Sequence, residues 1–133
     1  MLSFKISDTH GGLAKSEGLI KAEDEQLLVE FQTSDNIAGV IKSDVKKIAI
    51  PFEDIAEIDW KRGFFGGKLF LEFKSMDWLA SFPRTHDNRA VLEISRRNRD
   101  KAAEFVKDLR YSLMSDRLGE MLDTIDSVDP LRD

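Results

Sequence analysis

The hydrophobic pattern of this chain changes its period once, close to Asn98. Before that point apolar and polar residues alternate, as Leu27, Val29 and Phe31 do within the segment QLLVEFQT. A period of two is typical of a β-strand with one buried face. After that point the apolar residues recur at the spacing of an amphipathic helix, namely at Ala102, Phe105, Val106, Leu109 and Leu113. The change predicts a mainly β domain that ends in an α-helix.

About seven strands are predicted from the alternating runs and from the turn residues between them. They cover residues 18–22, 26–33, 45–51, 55–62, 67–74, 77–82 and 90–95. Residues 34–39 are interpreted as a loop, and residues 1–17 as an irregular lead-in or an edge strand. The domain itself is therefore expected to span residues 18–114.

Residues 115–133 are interpreted as a C-terminal helix and tail, with a possible second, short helix that begins at Ser115. This segment carries an apolar stripe formed by Leu118, Met121, Leu122 and Ile125. An apolar stripe beyond a complete small domain has to be buried somewhere. It is interpreted either as a contact between subunits or as a helix that folds back on the domain.

Length and composition limit the classes of protein to be considered. The chain has 133 residues, enough for one domain with its own core, and its formal net charge of −5 argues against nucleic acid as a partner. It contains no cysteine, which excludes disulfides and fits a reducing compartment. No segment has the apolar length of a signal peptide or the roughly 18 apolar residues of a membrane helix. A soluble, cytoplasmic protein is therefore expected.

The segment DWKRGFFGGKLFLEFK (residues 59–74) is predicted to be a β-hairpin with a two-residue turn at Gly66-Gly67. This register pairs Asp59 with Lys74 and Lys61 with Glu72, whereas a four-residue loop would place Asp59 opposite Glu72. Cross-strand pairs of opposite charge favour the shorter turn.

The same register directs the Phe64 side chain to the core and the Phe65 side chain to the outer face, and it leaves Arg62 to extend from the inner face. The glycines do not form a phosphate loop, since no Gly-Lys-Ser/Thr ending follows them. A possible membrane or partner contact is instead assigned to Phe65, Lys61, Arg62 and Lys68. The alternative is that Phe65 packs on a neighbouring loop or second subunit and Lys61 pairs with Glu72.

The order of the predicted elements resembles that of the pleckstrin-homology-like (PH-like) superfamily, in particular its bacterial PH-like and GRAM-like domains. The similar segments are IAIPFEDIAEIDW, GGKLFLEF, and AVLEIS followed directly by NRDKAAEFVKDLRYSLM. The resemblance covers about residues 18–114. It implies a barrel of antiparallel strands capped by the helix, and a binding or assembly module rather than an enzyme.

Eukaryotic members of this superfamily often bind phosphoinositides through lysines and arginines in the first strand turn. Here the turn interpreted as the first one is Glu23-Asp24-Glu25, and Lys21 is the only cation near it. Phosphoinositide binding is therefore not inferred for this turn. Bacterial members tend to form oligomers or to receive protein partners.

A second candidate site is a basic cluster in the sequence around the start of the helix. Its members are Arg84, Arg89, Arg96, Arg97, Arg99 and Lys101. Cations at a helix N-terminus oppose the helix dipole, so they do not serve helix stability. They are interpreted as a possible anion-binding patch, or alternatively as a solvated face offset by nearby acidic residues.

No catalytic, cofactor-binding or metal-binding residue is predicted. His10 and His86 are far apart in the sequence, and carboxylate pairs such as Glu53 and Asp54 have no nucleophile or base at a fixed spacing. The predicted function is a non-enzymatic interaction module for protein–protein contact or homo-oligomerisation. The alternatives are a peripheral domain that binds anionic lipid through the hairpin tip and, third, a small-ligand or enzymatic role.

Overall fold

A computed structural model describes residues 1–9, 14–35 and 45–127 of the chain. The strands are β1 (Leu2–Thr9), β2 (Ala14–Glu23), β3 (Gln26–Asp35), β4 (Lys46–Pro51), β5 (Ile55–Gly63), β6 (Gly66–Phe73), β7 (Thr85–His86) and β8 (Arg89–Ser95). One helix, α1 (Arg99–Ser127), follows. Short 3-10 helices occupy Phe52–Asp54, Met76–Ser81 and Arg96–Asn98. The predicted class, mainly β with a long C-terminal helix, is confirmed.

The strands form one antiparallel sheet in the order β4-β3-β2-β1-β8-β6-β5, and β7 pairs with β8 outside this path. Within the described residues β4 and β5 pair with no strand at their outer edges, so the sheet is open rather than a closed ring. Its inner face and one face of α1 enclose the hydrophobic core.

The first part of the segment interpreted as a lead-in or an edge strand, residues 2–9, is an interior strand. β1 lies between β2 and β8, and Leu2, Phe4 and Ile6 are buried in the core. The boundary expected at Gly18 falls inside β2, where a Cβ atom on Gly18 would collide with the carbonyl of Glu30. The first strand connection is therefore residues 10–13, outside the described residues, and not the acidic turn of residues 23–25.

The acidic turn between β2 and β3 is confirmed. Asp24 and Glu25 have φ angles of 52° and 61°, and Glu23 faces Gln26 across the turn. Positive φ at both central residues is the mark of the two-residue turn that best fits the twist of a hairpin. Asp87 and Asn88 form the same kind of connection between β7 and β8, with φ angles of 51° and 63°.

The strand predicted at residues 77–82 is wrong, because Met76–Ser81 is a 3-10 helix. The Ser75 hydroxyl accepts a hydrogen bond from the Asp77 backbone N–H at 3.3 Å and caps the start of this helix. The Trp78 indole donates to the Asp54 carboxylate at 3.2 Å. The alternating apolar residues of this segment therefore belong to a short 3-10 helix that lies against the core, and not to a strand.

The predicted register of the β5–β6 hairpin is also wrong. Gly63 pairs with Gly66, so Phe64 and Phe65 form the two-residue turn. Asp59 lies opposite Phe70, which matches neither the Gly66-Gly67 turn nor the four-residue loop.

Neither of the expected charge pairs forms. Lys61 lies opposite Lys68, and Glu57 lies opposite Glu72. The inward side of β6 is nevertheless as expected, with Leu69 and Leu71 fully buried. The new register differs from the expected one by an even number of residues, which leaves the buried face of a strand unchanged.

The predicted break at Ser115 is absent, and α1 continues as one helix to Ser127. Its core face carries Ala102, Val106, Leu109 and Leu113, which are buried as predicted.

Three arginines join α1 to the edge strand β5. Arg99 donates to the Gly63 carbonyl at 3.0 Å, Arg110 Nε to the Ile58 carbonyl at 3.0 Å, and Arg117 to the Ile55 carbonyl at 3.0 Å. The helix rises about 27 Å from Arg99 to Arg117. The strand spans about 26 Å over the residues that accept these bonds. The helix therefore lies antiparallel to β5 and matches its length.

Candidate functional site: an aromatic hairpin tip with surrounding cations

The turn between β5 and β6 exposes two aromatic rings. The side chain of Phe64 is 69% exposed and that of Phe65 is 84% exposed. Their ring centroids are 4.8 Å apart in an edge-to-face arrangement. Phe65 was predicted to face outwards and does so, whereas Phe64 was predicted in the core and is wrong. The pair forms the hairpin tip, a name kept below for Phe64 and Phe65.

The start of α1 lies directly behind the hairpin tip. Arg99 donates to the carbonyls of Gly63 at 3.0 Å and Phe64 at 3.3 Å. The Arg96 guanidinium lies 5.2 Å from the centroid of the Phe64 ring, within the range of a cation–π contact. Arg96 and Arg99, two members of the predicted basic cluster, therefore lie at the hairpin tip.

A row of charged side chains crosses four strands behind the tip. Lys61 of β5 faces Lys68 of β6, which faces Glu93 of β8, which faces Lys5 of β1. Like charges directly opposite each other are destabilising. Neither Lys61 nor Lys68 forms an ion pair with any described residue. The structure therefore holds two positive charges side by side, and Glu93, opposite Lys68, is the one carboxylate of this row.

Other charges near the tip are at least partly neutralised. Arg62, which was predicted to extend from the inner face, is exposed and forms a 3.0 Å ion pair with Asp100. Glu93 accepts hydrogen bonds from the backbone N–H and the hydroxyl of Ser7, both at 2.7 Å, and lies 3.9 Å from Arg84.

The basic cluster predicted from the sequence does not form a single patch. Arg89 lies away from the tip, 3.5 Å from the Asp59 carboxylate and 4.4 Å from the centre of the Phe70 ring. Arg97 and Lys101 are exposed and have no ion pair in the part of the chain that the structure describes. The cluster is therefore divided between the hairpin tip and the outer face of the sheet.

An open groove of about 640 Å³ runs from the tip along the outer face of the sheet. Its lining combines apolar residues with six cationic or titratable side chains: Lys5, Lys61, Arg62, Lys68, Arg84 and His86. Among the described residues, Glu93 is the one carboxylate that lines it. The groove is therefore a locally basic surface on a chain of net charge −5.

The acidic β2–β3 turn has the opposite character. The hydrogen bond that Lys21 donates to the Glu23 carboxylate and the negative charge of Glu23 raise the pKa of the Lys21 amine; the two groups are 3.0 Å apart. The only cation that the sequence placed near this turn is therefore already paired. The turn itself presents acidic side chains.

The apolar stripe of the tail is the second exposed apolar feature. Leu118, Met121 and Leu122 are 55%, 61% and 53% exposed. The helix does not fold back, so these side chains find no cover in the described residues, and the Ile125 side chain lies outside them. Two exposed residues that the sequence prediction omitted, Tyr111 and Met114, lie next to the stripe. Their spacing of seven and four residues from Leu118 is the signal that could have identified them.

No family model matches the chain, and no curated protein or solved structure was found to be similar to it. Within the described ranges, no group of three or more histidine and carboxylate side chains could hold a metal ion. No helix in those ranges is long and apolar enough to span a bilayer.

Proposed function

We propose that this chain is a non-enzymatic, PH-like interaction module whose partner is a second copy of itself. The main support for self-association is the uncovered stripe of α1. The PH-like assignment is supported by the order of the described elements, eight antiparallel strands and then one long helix. The module is proposed to act in the cytoplasm, in keeping with a chain that lacks cysteine.

The stripe has the spacing of a helix–helix contact. Tyr111, Met114, Leu118 and Met121 follow one another at intervals of three, four and three residues, and the sequence continues the pattern to Ile125. Alternating intervals of three and four produce the continuous apolar seam of paired helices.

This seam lies to one side of the core face of α1, and Met114, Leu118 and Met121 border a groove along β5. Five residues separate Leu113, on the core face, from Leu118, which places them about 140° apart around the helix. The helix therefore has two apolar sides. The sheet covers one of them, and the other is available to a partner.

The second copy is proposed to bind in antiparallel orientation, since a two-fold symmetric pair of this kind lets both helices use the same apolar residues. Residues 96–110 contain six cations and three carboxylates, whereas residues 111–127 contain one cation and four carboxylates. With Leu118 at the centre, residues 111–127 of each helix lie opposite residues 109–125 of the other, so the proposed contact depends on the apolar residues and uses the same surface of both copies. The seam from Tyr111 to Ile125 is centred on Leu118, which we place at the middle of the pair.

Sedimentation velocity tests this proposal. The wild-type chain is expected to dimerise with rising concentration, and Leu118→Glu combined with Met121→Glu is expected to leave a folded monomer, because the charges would be buried in the seam. Met76→Glu, a change at an exposed methionine outside α1, is the matched control and should leave the dimer intact. A wild-type chain that stays monomeric, or a dimer that survives the double change, would contradict the proposal.

A further inference from the structure

We propose that the hairpin tip is a membrane-docking site, in which Phe64 and Phe65 insert among the headgroups of a bilayer that contains anionic lipid. This site is separate from the stripe of α1, since it lies beside the first residues of the helix.

The aromatic rings are presented by an ordered backbone. Arg99 donates hydrogen bonds to the consecutive carbonyls of Gly63 and Phe64, and Gly63 pairs with Gly66 to close the turn. A preorganised tip avoids the entropic cost of ordering a loop when it binds. The exposed rings are therefore available for burial at little conformational cost.

The cations lie at the depth that headgroup phosphates would occupy. Three residues separate Lys61 from Phe64, a rise of about 10 Å along the strand. Apolar groups of peripheral proteins typically enter the boundary between headgroups and acyl chains by about 5–10 Å. With the two rings at that boundary, the amines of Lys61 and Lys68 come level with the phosphates.

The charge pattern matches an anionic plane. Lys61 and Lys68 are held opposite each other without an ion pair among the described residues, and negative charge between or below them would relieve their repulsion. Arg96, whose guanidinium lies 5.2 Å from the centroid of the Phe64 ring, adds a further positive charge on the α1 side of the tip.

A lipid surface fits better than a single small anion or an acidic protein. The cations surround a projecting tip and do not converge on one enclosed point. Two side chains at the end of a hairpin also offer far less area than the roughly 800 Å² per partner of a stable protein interface. A bilayer, by contrast, accepts an inserted aromatic group without a complementary shape.

A tryptophan at the tip reports insertion directly. Phe65→Trp is mixed with vesicles of phosphatidylcholine and phosphatidylserine whose acyl chains carry bromine, and its fluorescence is compared with the background of Trp60 and Trp78 in the wild-type chain. We expect a blue shift and strong quenching. Met76→Trp, at the far end of β6 from the tip, is the control and should show neither. Equal quenching in the two variants would overturn the proposal.

Vesicle pelleting tests the cations separately. Lys61→Gln with Lys68→Gln is expected to weaken partitioning onto the phosphatidylserine vesicles by about 30-fold, from two cations near the surface. Lys46→Gln with Lys47→Gln, two exposed lysines of β4, should leave it unchanged. Pure phosphatidylcholine vesicles should bind weakly in every case.

Two results would contradict this docking site: no salt-sensitive pelleting of the wild-type chain, or binding of soluble heparin with no binding to vesicles. The second result would indicate a polyanion surface instead. Because all the substituted side chains are exposed, each variant should keep the wild-type unfolding midpoint, which circular dichroism can verify. None of these variants alters the stripe of α1, so sedimentation of the same proteins tests self-association independently.

Discussion

At Gly66 the backbone has a φ of +149° and runs so close to β8 that a Cβ atom would collide with the carbonyl of Ile94. At Gly67 a Cβ atom would lie 2.6 Å from the Lys61 carbonyl and would also collide with the Trp60 ring. Both glycines lie inside β6, and glycine is required there because neighbouring atoms occupy the space of a Cβ atom. Neither glycine forms the turn. Pairing β5 with β6 alone favours a turn at these glycines, because the close approach of β8 does not enter a comparison of two strands.

We expect Gly66→Ala to lower the free energy of unfolding by about 2–3 kcal/mol, because both the backbone angle and the space are unsuitable for a side chain. Gly119→Ala is the matched control. No atom lies within 4 Å of the Cβ position at Gly119, in the middle of α1, so this change should raise the unfolding free energy by about 0.5–1 kcal/mol. Urea unfolding measures both. A Gly66→Ala chain as stable as wild type would indicate that Gly66 lies in a free turn.

At the scale of elements, α1 protects an open sheet edge. An edge strand presents unpaired backbone groups that can recruit another strand, and covering it with a helix is one common protection. Arg110 is the middle of the three arginines that bond to β5, and it also donates to the Asp59 carboxylate at 2.9 Å. The helix therefore stabilises the sheet through polar contacts as well as through its buried face.

Arg110→Met should lower the free energy of unfolding by about 1–2 kcal/mol, because the Ile58 carbonyl and the Asp59 carboxylate both lose a donor. Lys107→Met is the control on the same helix, since Lys107 is exposed and has no ion pair among the described residues; a change below about 0.5 kcal/mol is expected. Chemical denaturation of both variants measures the difference. Equal losses in the two would show that the arginine bonds do not stabilise the edge.

The class and most elements of the fold could be predicted because they depend on local periodicity, as at Leu27, Val29 and Phe31. The 3-10 helix at Met76–Ser81 could not, since it depends on a capping hydroxyl and on contacts with the core. Of the candidate site, the exposure of Phe65 was predictable. The approach of Arg96 and Arg99 to the tip was not, because it requires the path of α1 along β5.

At the scale of the whole molecule, the two proposed contacts occupy opposite ends of α1. The beginning of the helix supports a basic, aromatic tip, and its last third carries an acidic segment with an uncovered apolar stripe. A chain of net charge −5 can thus contain one strongly basic surface, which the total charge conceals. The two surfaces can be altered separately, so membrane docking and self-association are independently testable.

The most direct test of the central claim, self-association through the stripe of α1, uses the absence of cysteine from the chain. A Leu118→Cys variant contains one thiol, and an antiparallel pair centred near Leu118 brings two such thiols within the distance of a disulfide, a Cα separation below about 7 Å. Under mild oxidation at low protein concentration we expect a covalent dimer to form rapidly, while the exposed control Met76→Cys stays monomeric. Cross-linking of Leu118→Cys no faster than that of Met76→Cys would contradict the account.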